Sequence, residues 1–116
     1  MTLYKQGSVI LVPFPFTDFS TIKQRPAVVI SSTQFNRSSD DIILAAITSH
    51  LQVKSLYDIH LNKTDQHHAG LPKPSVVKCG KITTVDKRLI RKQLGQLSTS
   101  TTKLILEKIH TTIIPS

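Results

Sequence analysis

The sequence Lys23-Gln24-Arg25-Pro26-Ala27-Val28-Val29-Ile30-Ser31 places a permanent cation directly before a short, continuously apolar segment. Residues 27–30 are uninterrupted and mostly β-branched, which is typical of a buried strand. Pro26 fixes its own φ and favours an extended conformation at Arg25, so we expect a strand over residues 25–31. The guanidinium is then held at the edge of a packed core, where its forked donors suit a phosphate. A surface arginine without a function is the alternative at this point.

Further apolar segments along the chain predict a small, mainly β protein with one C-terminal helix. Residues 99–112 are expected to form that helix, because Ile105, Ile109 and Ile113 recur every four residues. Several short strands closed by one helix are typical of a strongly bent antiparallel sheet or barrel, here one domain over residues 1–116. Strands are predicted at 9–12, 42–48, 56–61, 76–78, 81–85 and 93–97, loops at 13–24, 35–40 and 65–74, and a helical turn at 86–91.

The charge balance of the chain indicates a polyanionic partner. Fifteen Lys and Arg residues against seven Asp and Glu residues give a net charge of +8 and a pI near 9.9. Such an excess favours nucleic acid, with an anionic membrane surface or an acidic protein as alternatives. A mean hydropathy of −0.04, the lack of a long apolar run and the lack of a signal-peptide pattern predict a soluble cytoplasmic protein. The single cysteine, Cys79, fits a reducing compartment and is expected to be a structural thiol rather than a nucleophile.

The predicted second and third strands carry residues that suit phosphate chemistry at their ends. Arg25 begins one strand, and Thr48, Ser49 and His50 end the next. If these strands are antiparallel neighbours, Arg25 and Thr48 converge at one rim of the sheet, where a guanidinium beside a hydroxyl can stabilise charge on a phosphodiester. The alternative for Thr48 is a strand-end hydroxyl that binds only the backbone.

The histidines offer two weaker alternatives. His50 and His60 could act as general base and acid for attack of a ribose 2′-OH on its own phosphate, although nothing in their spacing brings them together. A zinc site built from Asp58, His60, His67 and His68 is disfavoured, because the chain has no CxxC or HxxxH spacing.

Six stretches of the chain form a series whose order and spacing are informative together. They are GSVILVPFPFTD at 7–18, RPAVVIS at 25–31, AAITS at 45–49, Gly70-Leu71, PSVV at 74–77 and ITTVDKRL at 82–89. This series resembles the MazF/PemK-type toxins of type II toxin–antitoxin systems over nearly the whole chain. The chain departs from the family at Ser8, where the family usually has an aspartate, and at Lys81, where many members carry a glutamine.

The resemblance implies a fold, an activity and a site. The implied fold is an SH3-like small antiparallel β-barrel of the MazF/PemK/CcdB type that forms a homodimer. The implied activity is metal-independent, sequence-specific cleavage of single-stranded RNA, mainly mRNA, with no cofactor, leaving a 2′,3′-cyclic phosphate and a 5′-OH. Arg25 and Thr48 fall on the family's catalytic arginine and threonine.

The resemblance and the charge together suggest which residues bind RNA and which partners the chain has. The predicted loop at 13–24 matches the loop that borders the family's RNA groove. An acidic antitoxin would occupy the same groove, and the toxin–antitoxin complex would bind operator DNA. The alternative function is a non-catalytic module of the same fold that binds a gyrase-like protein or operator DNA with an antitoxin; a zinc-dependent hydrolase is a third. The predicted RNA-binding residues are Phe16, Thr17, Lys23, Ser49, His50, Lys78 and Lys81.

Overall fold

The structure, a computed structural model, describes residues 3–13, 23–52 and 55–115. In these ranges the chain forms six strands, three α-helices and a 3₁₀ helix at Lys87–Leu89, the last within the predicted helical turn. The strands are β1 (Ser8–Pro13), β2 (Gln24–Val29), β3 (Asp41–Thr48), β4 (Asp58–His60), β5 (Val76–Asp86) and β6 (Lys92–Gln96). The helices are α1 (Thr33–Ser38), α2 (Lys63–His68) and α3 (Thr99–Ile113).

The strands form one antiparallel sheet in the order β4-β5-β3-β2-β1-β6. Within the described ranges β4 and β6 are its two edges, so the sheet is open rather than closed into a barrel. The predicted fold class, mainly β with a C-terminal helix, is confirmed.

Both faces of this sheet are covered by apolar side chains. In β2, Val28 packs on the side of α3, whereas Ala27 and Val29 pack on the opposite side. Where both faces are covered, in β1, β2 and β3, the strands contain continuous apolar runs, whereas the edge strands β4 and β6 are partly exposed. The cluster on the α3 side includes Val9, Val28, Ala45, Ile47, Val77, Cys79, Ile105 and Ile109, and the opposite cluster includes Ile10, Val12, Ala27, Val29, Ile42, Leu44 and Val85.

The C-terminal helix α3 begins after Ser98, whose hydroxyl accepts a hydrogen bond from the Thr101 N–H. Ile105 and Ile109 are buried against the sheet. Ile113 is 66% exposed, so the apolar stripe predicted from the four-residue spacing ends at Ile109. No helix in the described ranges has the length and apolar character needed to cross a membrane.

Two short helices lie where loops were predicted, and capping explains them. Helix α1 overlaps the predicted loop at 35–40 and α2 overlaps the one at 65–74, and each begins two residues before it. Each has six residues, which is too few to show an apolar repeat of 3.6 residues. In α2 the cap is reciprocal, because the Asn62 side chain accepts from the Asp65 N–H while the Asp65 carboxylate accepts from the Asn62 N–H.

Strand β5 is one strand of 11 residues rather than the two predicted segments. Ala45 of β3 pairs with Ile82, but Ala46 pairs with Lys78, so residues 79–81 are left out of the pairing with β3. These residues form a bulge, which the sequence shows only as the Cys79-Gly80 interruption between two apolar runs.

The end of α2 packs on β6 closely enough to require glycine at two positions. Gly70 has φ +69°, and a Cβ there would lie 2.1 Å from the Leu94 carbonyl oxygen. A Cβ on Gly95 would lie 2.1 Å from the His68 carbonyl oxygen. Each glycine therefore lets the backbone of the other segment approach, which holds α2 against the edge of the sheet.

A buried hydrogen bond joins α2 to α3. The Thr101 hydroxyl donates to Asp65 Oδ1 over 2.7 Å, and the two side chains lie 36 residues apart in the sequence. Asp65 is 9% exposed and Thr101 is 8% exposed. The carboxylate that caps α2 therefore also anchors the first turn of α3.

We expect Thr101→Val to lower the free energy of unfolding by about 1–3 kcal/mol, because it leaves a buried carboxylate oxygen without its donor. Urea unfolding followed by circular dichroism measures the loss. Thr111→Val is the matched control, since Thr111 is exposed in the same helix. Equal losses in the two variants would contradict the structural role of the Asp65–Thr101 bond.

Cys79 is fully buried in the cluster on the α3 side. Its Sγ lies 3.9 Å from the Ile105 carbonyl oxygen and 4.0 Å from that of Val77. Burial, reinforced by the negative charge of Asp58, raises the pKa of the thiol from 9.0 to about 11. The thiol is therefore protonated at neutral pH, as expected of a structural cysteine.

The stability of the fold should decrease between about pH 9 and pH 11. The thiol ionises near pH 9 in the unfolded chain but only near pH 11 in the folded one, so alkaline pH favours unfolding across that window. Urea unfolding of the wild type and of Cys79→Ala at pH 7.5, 9 and 10.5 tests this. The wild type should lose more stability than the variant over the series, and parallel losses would contradict the effect of Cys79.

Candidate active site

The start of β2 and the end of β3 meet at one rim of the sheet. The register of this antiparallel pair runs from Val29 opposite Leu44 to Ala27 opposite Ala46. Continued by two residues, the same register brings Arg25 opposite Thr48. On its other side Arg25 lies opposite Val12 of β1. The sequence prediction that β2 and β3 are antiparallel neighbours is confirmed.

Pro26 shapes the backbone at this rim. It lies within β2, opposite Leu11 of β1, and it has no N–H to donate. The pairing of β2 with β3 ends at the next residue, Ala27. Arg25 and the end of β3 therefore lie just beyond the paired part of the two strands, while the buried residues behind Pro26 still set their register.

Thr48 is half-buried, and its hydroxyl already has one partner. Oγ1 accepts a hydrogen bond of 3.1 Å from the His50 N–H. The strand-end backbone contact considered for Thr48 is therefore present. An accepting hydroxyl keeps its own hydrogen, so Thr48 can still donate to a phosphate oxygen.

Three further predicted RNA-binding residues lie next to this rim. Lys23 is exposed directly before β2, and Ser49 and His50 are exposed directly after β3. Phe16 and Thr17, also predicted to bind RNA, lie outside the described residues.

Lys78 is engaged in an ion pair. Its Nζ lies 2.9 Å from Asp58 Oδ1 and 3.0 Å from Asp58 Oδ2, and the two side chains are 14% and 2% exposed. Asp58 Oδ2 also accepts a hydrogen bond of 3.0 Å from the Ser55 N–H. The charge of Lys78 is therefore largely balanced, and the pair fastens the segment before β4 to β5.

Lys81 is exposed in the bulge of β5. The bulge lies beside Ala45 and Ala46, two to three residues before the end of β3. Lys81 is thus close to the rim along the sheet but not in line with Arg25 and Thr48.

The structure places His60 in line with the end of β3, which the sequence does not predict. It pairs with Val76 of β5, and Val76 pairs with Thr48. The alternation in residues 56–61 indicates which face His60 is on, but not which strand lies beside β4. For the zinc alternative, the described ranges contain no group of three or more His, Cys, Asp or Glu side chains placed to hold a metal ion.

Comparisons with known proteins agree with this architecture. A family model described as a PemK-like, MazF-like toxin of a type II toxin–antitoxin system matches residues 5–113. An endoribonuclease in complex with its cognate antitoxin, from a mycobacterial species, is similar with a TM-score of 0.75 and 19% identity, covering 100% of this chain and 99% of that chain. MazF from Deinococcus radiodurans is similar with a TM-score of 0.76 and 19% identity, covering 96% of each chain. A MazE–MazF complex from the same organism gives 0.75 and 19%, covering 100% of each chain.

No curated protein sequence matches the chain. The solved structures are too distant in sequence to show more than a shared fold. The family model, however, covers most of the chain and includes both ends of the rim described above. The chain belongs to the PemK-like, MazF-like toxin family of type II toxin–antitoxin systems.

Proposed function

We propose that this toxin is an endoribonuclease that cleaves single-stranded RNA, mainly mRNA, at specific sequences. The observation that carries the proposal is the β2–β3 register, which brings a guanidinium and a hydroxyl to one rim. Family membership and the fold shared with a mycobacterial endoribonuclease support it. The net charge of +8 suits a polyanionic substrate.

The proposed reaction is attack by a ribose 2′-OH on the adjacent phosphorus. A new P–O2′ bond forms and the P–O5′ bond breaks. The 2′-OH loses one proton and the leaving 5′ oxygen gains one, so the reaction has no net uptake or release of protons. The products are a 2′,3′-cyclic phosphate and a 5′-OH. Arg25 stabilises the charge that develops on the non-bridging oxygens, and Thr48 donates a hydrogen bond to one of them. Neither role calls for a metal or another cofactor.

The proposed partners follow from the same charges. An acidic antitoxin segment would cover the rim and compete with RNA for its cations. The similar mycobacterial endoribonuclease forms a complex with its cognate antitoxin, and MazF of Deinococcus radiodurans forms one with MazE, which supports a protein partner of this kind. We also propose a cytoplasmic homodimer, with operator DNA bound by the toxin–antitoxin complex. Lys23, Ser49 and His50 would contact RNA beside the scissile phosphate, together with Lys81 from the bulge. Phe16 and Thr17 remain predicted RNA contacts. Lys78 would contact RNA only while it is also paired with Asp58.

Arg25→Ala should reduce RNA cleavage by about 10³-fold or more, because a fixed cation is lost from the developing charge. Arg25→Lys should recover only part of this, since an ammonium lacks the planar fork of donors. Cleavage of a mixed RNA pool in EDTA, resolved on a denaturing gel, measures the effect.

Arg37→Ala is the matched control for Arg25→Ala. Arg37 is exposed on α1, which joins the other ends of β2 and β3, so this variant should cleave like the wild type. Full activity of a folded Arg25→Ala variant would overturn the assignment of Arg25 as a catalytic residue. If the wild type leaves the RNA intact, the proposed endoribonuclease activity is wrong and the non-catalytic binding module is favoured.

Thr48→Val and Thr48→Ser separate the hydroxyl from the shape of the side chain. Valine keeps the shape but cannot donate, so cleavage should fall by about 10²–10³-fold. Serine keeps both the donor and the acceptor for the His50 N–H, so most activity should remain. Single-turnover rates on one RNA oligonucleotide test this, and equal rates for the two variants would exclude a role for the hydroxyl.

A further inference from the structure

We infer that His60 is an RNA-binding residue that contacts the strand one nucleotide or more away from the scissile phosphate, on the side of Thr48 opposite to Arg25. This inference rests on the proposed ribonuclease function. It is drawn from the pairing of β3, β5 and β4, which sets Thr48, Val76 and His60 in one row across the sheet. The β2–β3 register, continued by two residues beyond its last pair, adds Arg25 to this row, and we call these four residues the rim row.

The rim row follows from the register of β3, β5 and β4. Thr48 lies opposite Val76, and Val76 lies opposite His60. Directly opposed residues of antiparallel strands are about 4.5–5.5 Å apart between Cα atoms and point to the same face. His60 therefore shares the face of Thr48, and its Cα lies about 10 Å from that of Thr48.

A side-chain contact confirms this face independently. Two residues inward from the rim row, Asp58 and Lys78 are opposed in the same way, and their side chains form the 2.9 Å ion pair. Asp58 is two residues from His60, and Lys78 is two residues from Val76. Residues two apart in a strand point to the same face, so His60 and Val76 lie on the face that carries the ion pair.

The imidazole of His60 is available to a ligand. His60 is exposed, and within the described ranges its side chain has no hydrogen bond or ion pair. The nearest carboxylate along its own strand is Asp58, which is already bound by Lys78 and by the Ser55 N–H. His60 therefore has no partner in β4 or β5 that would hold it away from RNA.

The spacing decides what His60 can do. His60 lies two strand spacings, about 10 Å, beyond Thr48 on the side away from Arg25, so a phosphate held between Arg25 and Thr48 is farther from His60 than the next phosphate of a strand that follows the rim row. Val76, between Thr48 and His60, is 1% exposed and offers no polar group. An RNA strand that crosses the sheet along the rim row would thus meet Arg25 and Thr48 at one phosphate and His60 at a later one. An imidazole N–H can donate to that phosphate oxygen.

We expect His60→Ala to raise KM for a long RNA oligonucleotide by about three- to tenfold with kcat within about twofold, because it removes one hydrogen bond made before and during the reaction. His60→Gln keeps an N–H donor and should restore part of the lost affinity. His110→Ala is the matched control, because His110 is an exposed histidine of α3, the helix on the other face of the sheet.

Substrates shortened one nucleotide at a time from either end make the test specific for contact with RNA. Once the nucleotide that meets His60 is removed, the wild type and His60→Ala should have equal KM values. Equal KM values on the longest RNA would overturn the inference and leave the ribonuclease function intact. A difference that persists on the shortest cleavable RNA would also overturn it, because the effect would then be structural. If the wild type cleaves no RNA, the proposed function fails and this inference fails with it.

Discussion

The pairing of β2 with β3 is the contact on which the rest of the structure depends. Val28 lies opposite Ala45 at its centre, and both side chains are fully buried. A slip of one residue would move each buried side chain of one strand from one apolar cluster to the other, where the space is filled by residues of a different size. The same slip would take Arg25 out of line with Thr48. The register that packs the core is therefore also the one that aligns Arg25 with Thr48 in the proposed site.

The backbone of the proposed site is held by strand pairing and by Pro26 rather than by a ligand. Arg25 has Val12 of β1 on one side and the end of β3 on the other, and Pro26 restricts its backbone. Donors that are already in place need no reorganisation when charge develops on a phosphate. The net charge of +8 is less informative than this placement, because a sum over the chain does not say which cations lie at the rim and which, like Lys78, are held by a carboxylate.

The sequence predicts the parts of this protein that depend on local pattern. The strands β1, β2 and β3 are recognisable because both faces of the sheet are covered there, which makes their apolar runs continuous, and β4 is recognisable from its alternation. The convergence of Arg25 and Thr48 needed only the assumption that consecutive strands are antiparallel neighbours. Helices α1 and α2 were missed, because six residues carry no apolar repeat and only their caps identify them. The Lys78–Asp58 ion pair cannot be predicted from local sequence pattern, because its two residues are 20 positions apart and belong to different strands.

The alternation of side chains along the strands explains why stability and function lie so close together. In β3, Ile47 packs under α3, and the next residue, Thr48, points to the other face at the rim. In β4, Ile59 packs against the same cluster, and the next residue is His60. Each strand thus gives one residue to the core and its neighbour to the proposed site. Since the core residues fix the register, they also fix the spacing of the rim row, and a change to the core that shifts a strand should alter the site as well.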